Sequence, residues 1–322
     1  MDNLFKIESA PAPACARAKN KVTKRKGEDL KRKSEKKAES FCKKSCGDKK
    51  DGGYIAVTDS GLGGLSVLAP LCRALPEEKF LYFGDNGNAP YGNRTESDLL
   101  SLTMRNLDYI LSFGIKAIVV ACNTLSATLL KDIESYSGVK CFGVYPPVFR
   151  PLADGDKTLL LATPFTCARY RGVKGLYIAE TRDLAEVVEK NAFNLPNVDV
   201  ESELKSSRFY YCTGETDSFG APITKDLPQT SIFSSEDRRE RFDAVILGCT
   251  HYLFVKNKIV DHLRPKKVIS GNEFTVHAVK KYFQNGKSQV NKRENAPLFI
   301  GEYADFNANF YKKVVSAVWN SL

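Results

Sequence analysis

Two segments of this chain, Lys116 to Ser126 (KAIVVACNTLS) and Asp243 to Leu253 (DAVILGCTHYL), are close to copies of each other. Each opens on a charged residue, runs through Ala and a β-branched apolar stretch, and stops at a cysteine, Cys122 or Cys249. Polar residues follow at once, Asn123-Thr124 in one copy and Thr250-His251 in the other. Short apolar runs with polar ends predict strands of a parallel sheet, because a strand covered on both faces has no reason to alternate. In open α/β sheets, ligands sit beyond the carboxyl ends of such strands. The duplication therefore predicts two similar halves facing one pocket, with one sulfur on each side.

From Gly53 onward the pattern alternates between strands and helices. Tyr54–Thr58 reads as a strand, then come a Gly-rich turn and a helix from about Ser66. Lys79–Phe83 is a second strand, Ser97–Phe113 has helical apolar spacing, and Ile115–Ala121 is the first cysteine strand. Further strands are expected at Lys140–Val144, Lys157–Ala162, Phe242–Leu247, Lys267–Ser270 and Leu298–Ile300. This order predicts a doubly wound parallel sheet in each half. The Pro-rich break at Tyr145-Pro146-Pro147 is a natural crossing between halves. The expected division is residues 53–146 plus 271–322 for one α/β domain and 147–270 for the other, with the active site in the cleft between them. Residues 201–241, rich in Ser, Glu and Arg, read as no clear element.

The net charge of +10 belongs to one end of the chain. Residues 1–52 hold 16 Lys/Arg against 8 Asp/Glu, while the remaining 270 residues hold 32 against 30. That Lys-rich arm is poor in aromatic and β-branched residues, so disorder or a solvated helix is expected. It is a candidate for weak nucleic-acid contact through phosphate neutralisation, although no aromatics are interleaved and a solubilising tail explains it more simply. The apolar fraction of 43% is that of a globular protein, and no apolar stretch is long enough to span a membrane. Nine cysteines without CxxC spacing or a Cys/His cluster exclude a disulfide scaffold or zinc site as the expectation. With no secretory h-region at the N-terminus, a cytoplasmic location is expected.

Asp59-Ser60-Gly61-Leu62-Gly63-Gly64 lies after a strand and before a helix, where glycines let backbone N–H groups approach an anion. A dinucleotide site is the rival, with Asp85 as its ribose-binding acid. Ser66 stands where the third glycine would be, and Asp59 puts a carboxylate where a pyrophosphate would lie. A small substrate with both carboxylate and ammonium groups fits better. Pro90-Tyr91-Gly92 can place a tyrosine over a pocket, though turn chemistry explains it equally well.

A single strand-end cysteine is ordinarily a small buried hydrophobe, and Cys72, Cys141, Cys167 and Cys212 read that way. Two in repeated frames suit inversion of a stereocentre. One thiolate removes an α-proton, and the opposite thiol protonates the planar carbanion. Asp59 and His251 each stand beside one half of the repeat to relay protons. A Cys249–His251 nucleophile pair is the alternative, and it leaves Cys122 unexplained.

The segments TDSGLGGLSVL (58–68), YFGDNGNAPYG (82–92), VVACNTLSA (119–127), LLATPFTCARY (160–170) and ILGCTHYLF (246–254), with FIGEYADF (299–306), resemble those of glutamate racemases. These belong to the cofactor-independent aspartate/glutamate racemase superfamily. The resemblance spans about residues 53–322. It implies interconversion of L- and D-glutamate with neither cofactor nor metal, supplying D-glutamate for peptidoglycan. By motif, Cys122 and Cys249 would be the acid/base thiols, assisted by Asp59 and His251 and supported by Asp85. Ser60, Tyr91, Gly92, Asn123, Thr124, Thr163, Thr166 and Thr250 would hold the amino acid. A homodimer is the expected assembly.

Three departures stand out. Asn88 occupies the family's arginine place before Pro-Tyr-Gly, and Leu253 follows the CTHY tetrad in place of proline. The acidic residue of the family's middle Pro-rich segment has no recognisable counterpart. The remaining rivals are an aspartate or other amino-acid racemase, a nicotinamide-dependent dehydrogenase, and a non-catalytic protein that contacts DNA through its arm.

Overall fold

The computed structural model describes residues 6–7, 53–148, 156–228, 242–284 and 295–318. The first of its two six-stranded sheets contains β1 (Lys6–Ile7), β2 (Tyr54–Asp59), β3 (Phe80–Gly84), β4 (Ile115–Val120), β5 (Lys140–Gly143) and β12 (Leu298–Ile300). They run β1-β12-β3-β2-β4-β5, every pair parallel. The second contains β6 (Thr158–Ala162), β7 (Leu176–Glu180), β8 (Arg208–Thr216), β9 (Pro222–Leu227), β10 (Ala244–Leu247) and β11 (Lys267–Ser270). Its order is β11-β10-β6-β7-β8-β9. Here β11, β10, β6 and β7 are parallel, whereas β8 and β9 run antiparallel to their neighbours.

The helices are α1 (Leu65–Ala74), α2 (Glu96–Leu111), α3 (Asn123–Ser137), α4 (Pro164–Ala168), α5 (Leu184–Lys190), α6 (Val200–Ser206), α7 (Lys256–Leu263), α8 (Asn272–Gln284) and α9 (Ala304–Val318). They cover both faces of each sheet, which is why the central strands are unbroken apolar runs. Neighbouring residues of β4 go to opposite faces: Val119 joins the cluster with Leu68 of α1 and Phe310 of α9, and Ile118 joins that with Leu107 of α2 and Leu129 of α3. In β10, Val245 packs with Val188 of α5 and Ile259 of α7, while Ile246 packs with Cys167 and Tyr210. After β11 the chain returns to the first half, where α8 packs on α1 and β5, and α9 packs on α1, β3 and β12.

Both sheets are mostly parallel, as expected, and the second adds an antiparallel pair at one edge. Strands β7, β8 and β9 were not anticipated, and the last two fall within the stretch that reads poorly in sequence. An antiparallel pair can leave one side to water, so its residues need not be apolar. β9 is mostly exposed, and Arg208 of β8 pairs with Asp226 of β9 at 2.9 Å on the surface. Within residues 1–52, Lys6–Ile7 form a short parallel strand on the edge of β12, with Ile7 opposite Phe299. The rest of the basic arm lies outside the described residues. No helix among the described residues is long and apolar enough to cross a membrane.

Candidate active site

The turn after β10 lies against the turn after β2 where the two sheets adjoin, and the charge of Cys249 acts on Cys122. Cys122 follows β4 and is the N-cap of α3, and Cys249 follows β10 and is the N-cap of a 3-10 turn over Thr250–Val255. Thr250 Oγ1 donates to Asp59 Oδ2 at 3.3 Å, joining the end of β10 to the end of β2. Gly63 lies so close to Thr250 Oγ1 and His251 Nδ1 that a Cβ there would collide with both. Gly92 is pressed in the same way on Thr163. At these two positions glycine is required by the approach of the halves.

On the first side, Asp59 is buried, and its Oδ1 accepts the Gly61 N–H at 3.0 Å. Burial raises its carboxyl above the ordinary carboxylate range, against the lowering influence of nearby His251. Cys122 is buried as well. Loss of solvent pushes its thiol up to about 12 and the Asp59 charge adds to this, while the Leu125 N–H and the Ser60 hydroxyl oppose it. Cys249 lies near enough for its charge to act on Cys122. Burial thus favours the protonated thiol at Cys122.

The second side differs. Cys249 is half-buried, with its Sγ 3.7 Å from His251 Nδ1. His251 Nε2 lies 2.6 Å from Glu189 Oε2 on α5. A carboxylate can only accept, so Nε2 carries the proton. Burial alone would lower the His251 pKa, but the Cys249 and Glu189 hydrogen bonds and charges outweigh it and leave the imidazole well above its ordinary value. His251 is thus a proton donor placed beside the Cys249 sulfur.

Sequence reasoning missed Glu189. On α5, Glu186 faces outward and pairs with Lys190 at 2.5 Å, whereas Glu189 three positions later turns inward. Both look like solvent-facing charges of an amphipathic helix, and no local signal separates them. His251 therefore has an acidic partner in α5.

The remaining candidates form two further groups. Thr124, Thr163 and Thr166 bring three buried hydroxyls within 3.4 to 3.5 Å of one another, spanning α3 and the start of α4. Tyr91 is buried, and its hydroxyl donates to Asp85 Oδ2 at 2.5 Å. Asp85 also accepts from Asn88 at 2.8 Å and Asn106 at 2.9 Å, so it braces the loop that carries Tyr91 and Gly92. The Asn123 side chain donates to the Val144 carbonyl at 3.1 Å, holding the start of α3 to the crossing segment. Cys72, Cys141, Cys167 and Cys212 are free thiols packed in or against the cores.

Two α/β halves of matching central strand order, whose cysteine-bearing strand ends meet at one join, define a two-domain enzyme fold. No protein-family model matches the chain. A glutamate racemase of Clostridium botulinum (strain Hall) is 32% identical over 267 residues, covering 81% of this chain and 93% of the relative. The structure is similar to that of glutamate racemase from Thermus thermophilus in complex with β-chloro-D-alanine, with a TM-score of 0.60 and 27% identity over 83% of this chain and 94% of that one. It shares its fold with the Francisella tularensis glutamate racemase in complex with D-glutamate, at a TM-score of 0.60 and 20% identity over 81% of this chain and 94% of that one. The chain belongs to the glutamate racemase family.

Proposed function

We propose that this chain interconverts L- and D-glutamate, with Cys122 and Cys249 transferring protons on opposite faces of the α-carbon. The observation that supports the reading is two strand-end thiols whose strand ends are tied by the Thr250–Asp59 hydrogen bond, Cys122 beside Asp59 and Ser60 and Cys249 beside His251. In either direction one sulfur, as thiolate, takes the α-proton, and the electron pair of the broken C–H bond stays on the planar carbanion. The opposite thiol then gives its proton to the other face, so a single turnover exchanges the protonation states of the two sulfurs.

Asp59 and Ser60 serve the Cys122 side, and His251 with Glu189 serves the Cys249 side. An incoming α-ammonium places a positive charge where burial has made a thiolate at Cys122 costly, so substrate itself helps to generate the base. Ser60, Asn123, Thr124, Thr163, Thr166 and Thr250 line the site with short polar groups, and the start of α3 offers N–H groups to a carboxylate. Tyr91 and Gly92 shape one wall, and Asp85 steadies them. Burial of Asp59, Cys122 and His251 implies that the halves part to admit substrate and then shut water out.

The direct test supplies each enantiomer to the purified chain without added cofactor and follows circular dichroism. Both are expected to converge on the racemic mixture, with deuterium entering the α-position in heavy water. Racemisation of aspartate in preference to glutamate, or of neither, overturns the assignment.

The same reading places the enzyme in the cytoplasm, supplying D-glutamate for peptidoglycan. It divides the chain into residues 53–146 plus 271–322 and residues 147–270, and takes the working unit to be a homodimer, which light scattering checks. Weak nucleic-acid contact by residues 1–52 would appear as salt-dependent binding lost on their deletion.

A further inference from the structure

Asn307, on α9, ends a continuous line of hydrogen bonds that starts at His251. Glu189 uses Oε2 for His251 Nε2 at 2.6 Å and for the Leu62 N–H at 3.0 Å. Its Oε1 accepts a close hydrogen bond from Asn86 Nδ2. Asn86, in the loop after β3, forms a reciprocal pair with Asn307: Asn307 Nδ2 donates to Asn86 Oδ1 at 2.9 Å, and Asn86 Nδ2 donates to Asn307 Oδ1 at 3.2 Å. Both amide protons of Asn86 are thereby used, one on each neighbour.

We propose, on the basis of the two-thiol reading above, that Asn307 is a positioning residue which, through Asn86, holds the Glu189 carboxylate in the orientation that serves His251. The chemistry of the amide gives the reason. Rotating the Asn86 amide by half a turn would aim its carbonyl oxygen at Glu189 Oε1, setting two acceptors face to face. The reciprocal pair disfavours that rotation, because Asn307 would have to turn with it. Water does not readily replace the link, since Asn307 is 1% exposed. Gly84 keeps the space open: a Cβ there would lie 2.9 Å from Asn86 Oδ1 and 3.0 Å from Asn307 Nδ2. The line joins α9 and the β3 loop of the first half to α5 of the second, so closure of the halves and orientation of Glu189 are one event.

Around His251 the ionisable groups are Cys249 and Glu189, which hydrogen-bond to it, and Asp59, whose charge it feels. Burial lowers its pKa, and Cys249 and Glu189 raise it above the ordinary value. A Glu189 carboxylate that swings away removes one of the two raising contributions, so His251 should then titrate at lower pH.

The test uses the full chain with labelled histidine, in which only three histidines need to be resolved by NMR. In Asn307→Leu, the His251 titration midpoint is expected to move down and kcat to fall about tenfold with KM little changed, as for loss of one oriented hydrogen bond. Asn307→Leu added to Glu189→Gln should cost nothing further. An unmoved midpoint in folded Asn307→Leu, or full additivity with Glu189→Gln, overturns the assignment. Should Asn307→Leu fail to fold, Asn86→Ala in the half-buried loop breaks the same line, and an unmoved midpoint there is equally fatal. Wild-type turnover in Cys249→Ser would instead sink the two-thiol reading itself, so the two failures are distinct.

Discussion

The two halves match where the thiols are placed and diverge elsewhere. Strands β3-β2-β4-β5 of the first sheet correspond one for one with β7-β6-β10-β11 of the second, with β4 and β10 carrying the cysteines. Beyond that core, the first sheet continues with parallel β12 beneath α9, whereas the second turns to the antiparallel β8–β9 hairpin, largely open to solvent. The thiols differ in the same spirit. Cys122 caps a 15-residue helix and is enclosed with Asp59 and Ser60, while Cys249 caps a 6-residue 3-10 turn and is half-buried beside His251 and Glu189. Strand order is retained because it fixes where the sulfurs meet. What surrounds each sulfur is free to differ, because each face needs only a competent proton donor and acceptor.

The strongest blow to the comparison is removal of either sulfur. Cys122→Ser and Cys249→Ser should each lower racemisation of both enantiomers about a thousandfold or more, since neither face can then complete the transfer. Each single variant should still exchange the α-proton of one enantiomer, and the retained enantiomer should differ between them, as read by proton NMR in heavy water. Near-normal turnover in either variant breaks the two-thiol symmetry.

Matched truncations in the cores come next. Ile118 of β4 and Ile246 of β10 are both fully buried, one in each half's core. Ile118→Ala and Ile246→Ala should each cost about 3 kcal/mol in denaturant unfolding. A difference of more than about 2 kcal/mol between them would show that the two cores pack unlike one another.

Glu189→Gln acts on one half only. Its His251 partner has a raised pKa in the fold, so the contact stabilises fully below the unfolded value of about 6.5 and loses its effect as pH rises through the folded value. The variant should therefore flatten the dependence of stability on pH across that window. It should also lower kcat about tenfold to a hundredfold through the Cys249 side. An unchanged pH profile of both stability and turnover would detach Glu189 from His251. The smallest effect is expected at Phe219→Ser. This side chain lies 95% exposed in the hairpin, and its loss should change stability by less than about 0.5 kcal/mol.

Much of the first sheet was readable because a strand buried on both faces is an apolar run, as in β2 (YIAVTD) and β4 (IKAIVV). The strands β8 (RFYYCTGET) and β9 (PITKDL) were not readable, because an edge pair half open to water mixes charged, polar and apolar residues. Strand β7 (LYIAE) is a 5-residue run, too short for its apolar pattern alone to separate a strand from a buried helical segment. In the site, Cys122, Cys249 and His251 were legible because they close repeated frames at strand ends, and Asp59 and Ser60 because they open the Gly-rich turn after β2. Glu189 did not, since facing inward or outward from α5 depends on what packs against it. Asn86 and Asn307 are 221 positions apart, and nothing in either neighbourhood points to the other.

By itself, the sequence determined that two similar strands each end on a cysteine, because burial on both faces writes apolar runs and the turn to polar residues marks their ends. Only the tertiary structure decided that His251 has an acidic partner on α5 and that α9 reaches that partner through two amides. Such contacts depend on the distance and direction between segments far apart in the chain, which no local pattern of residues encodes.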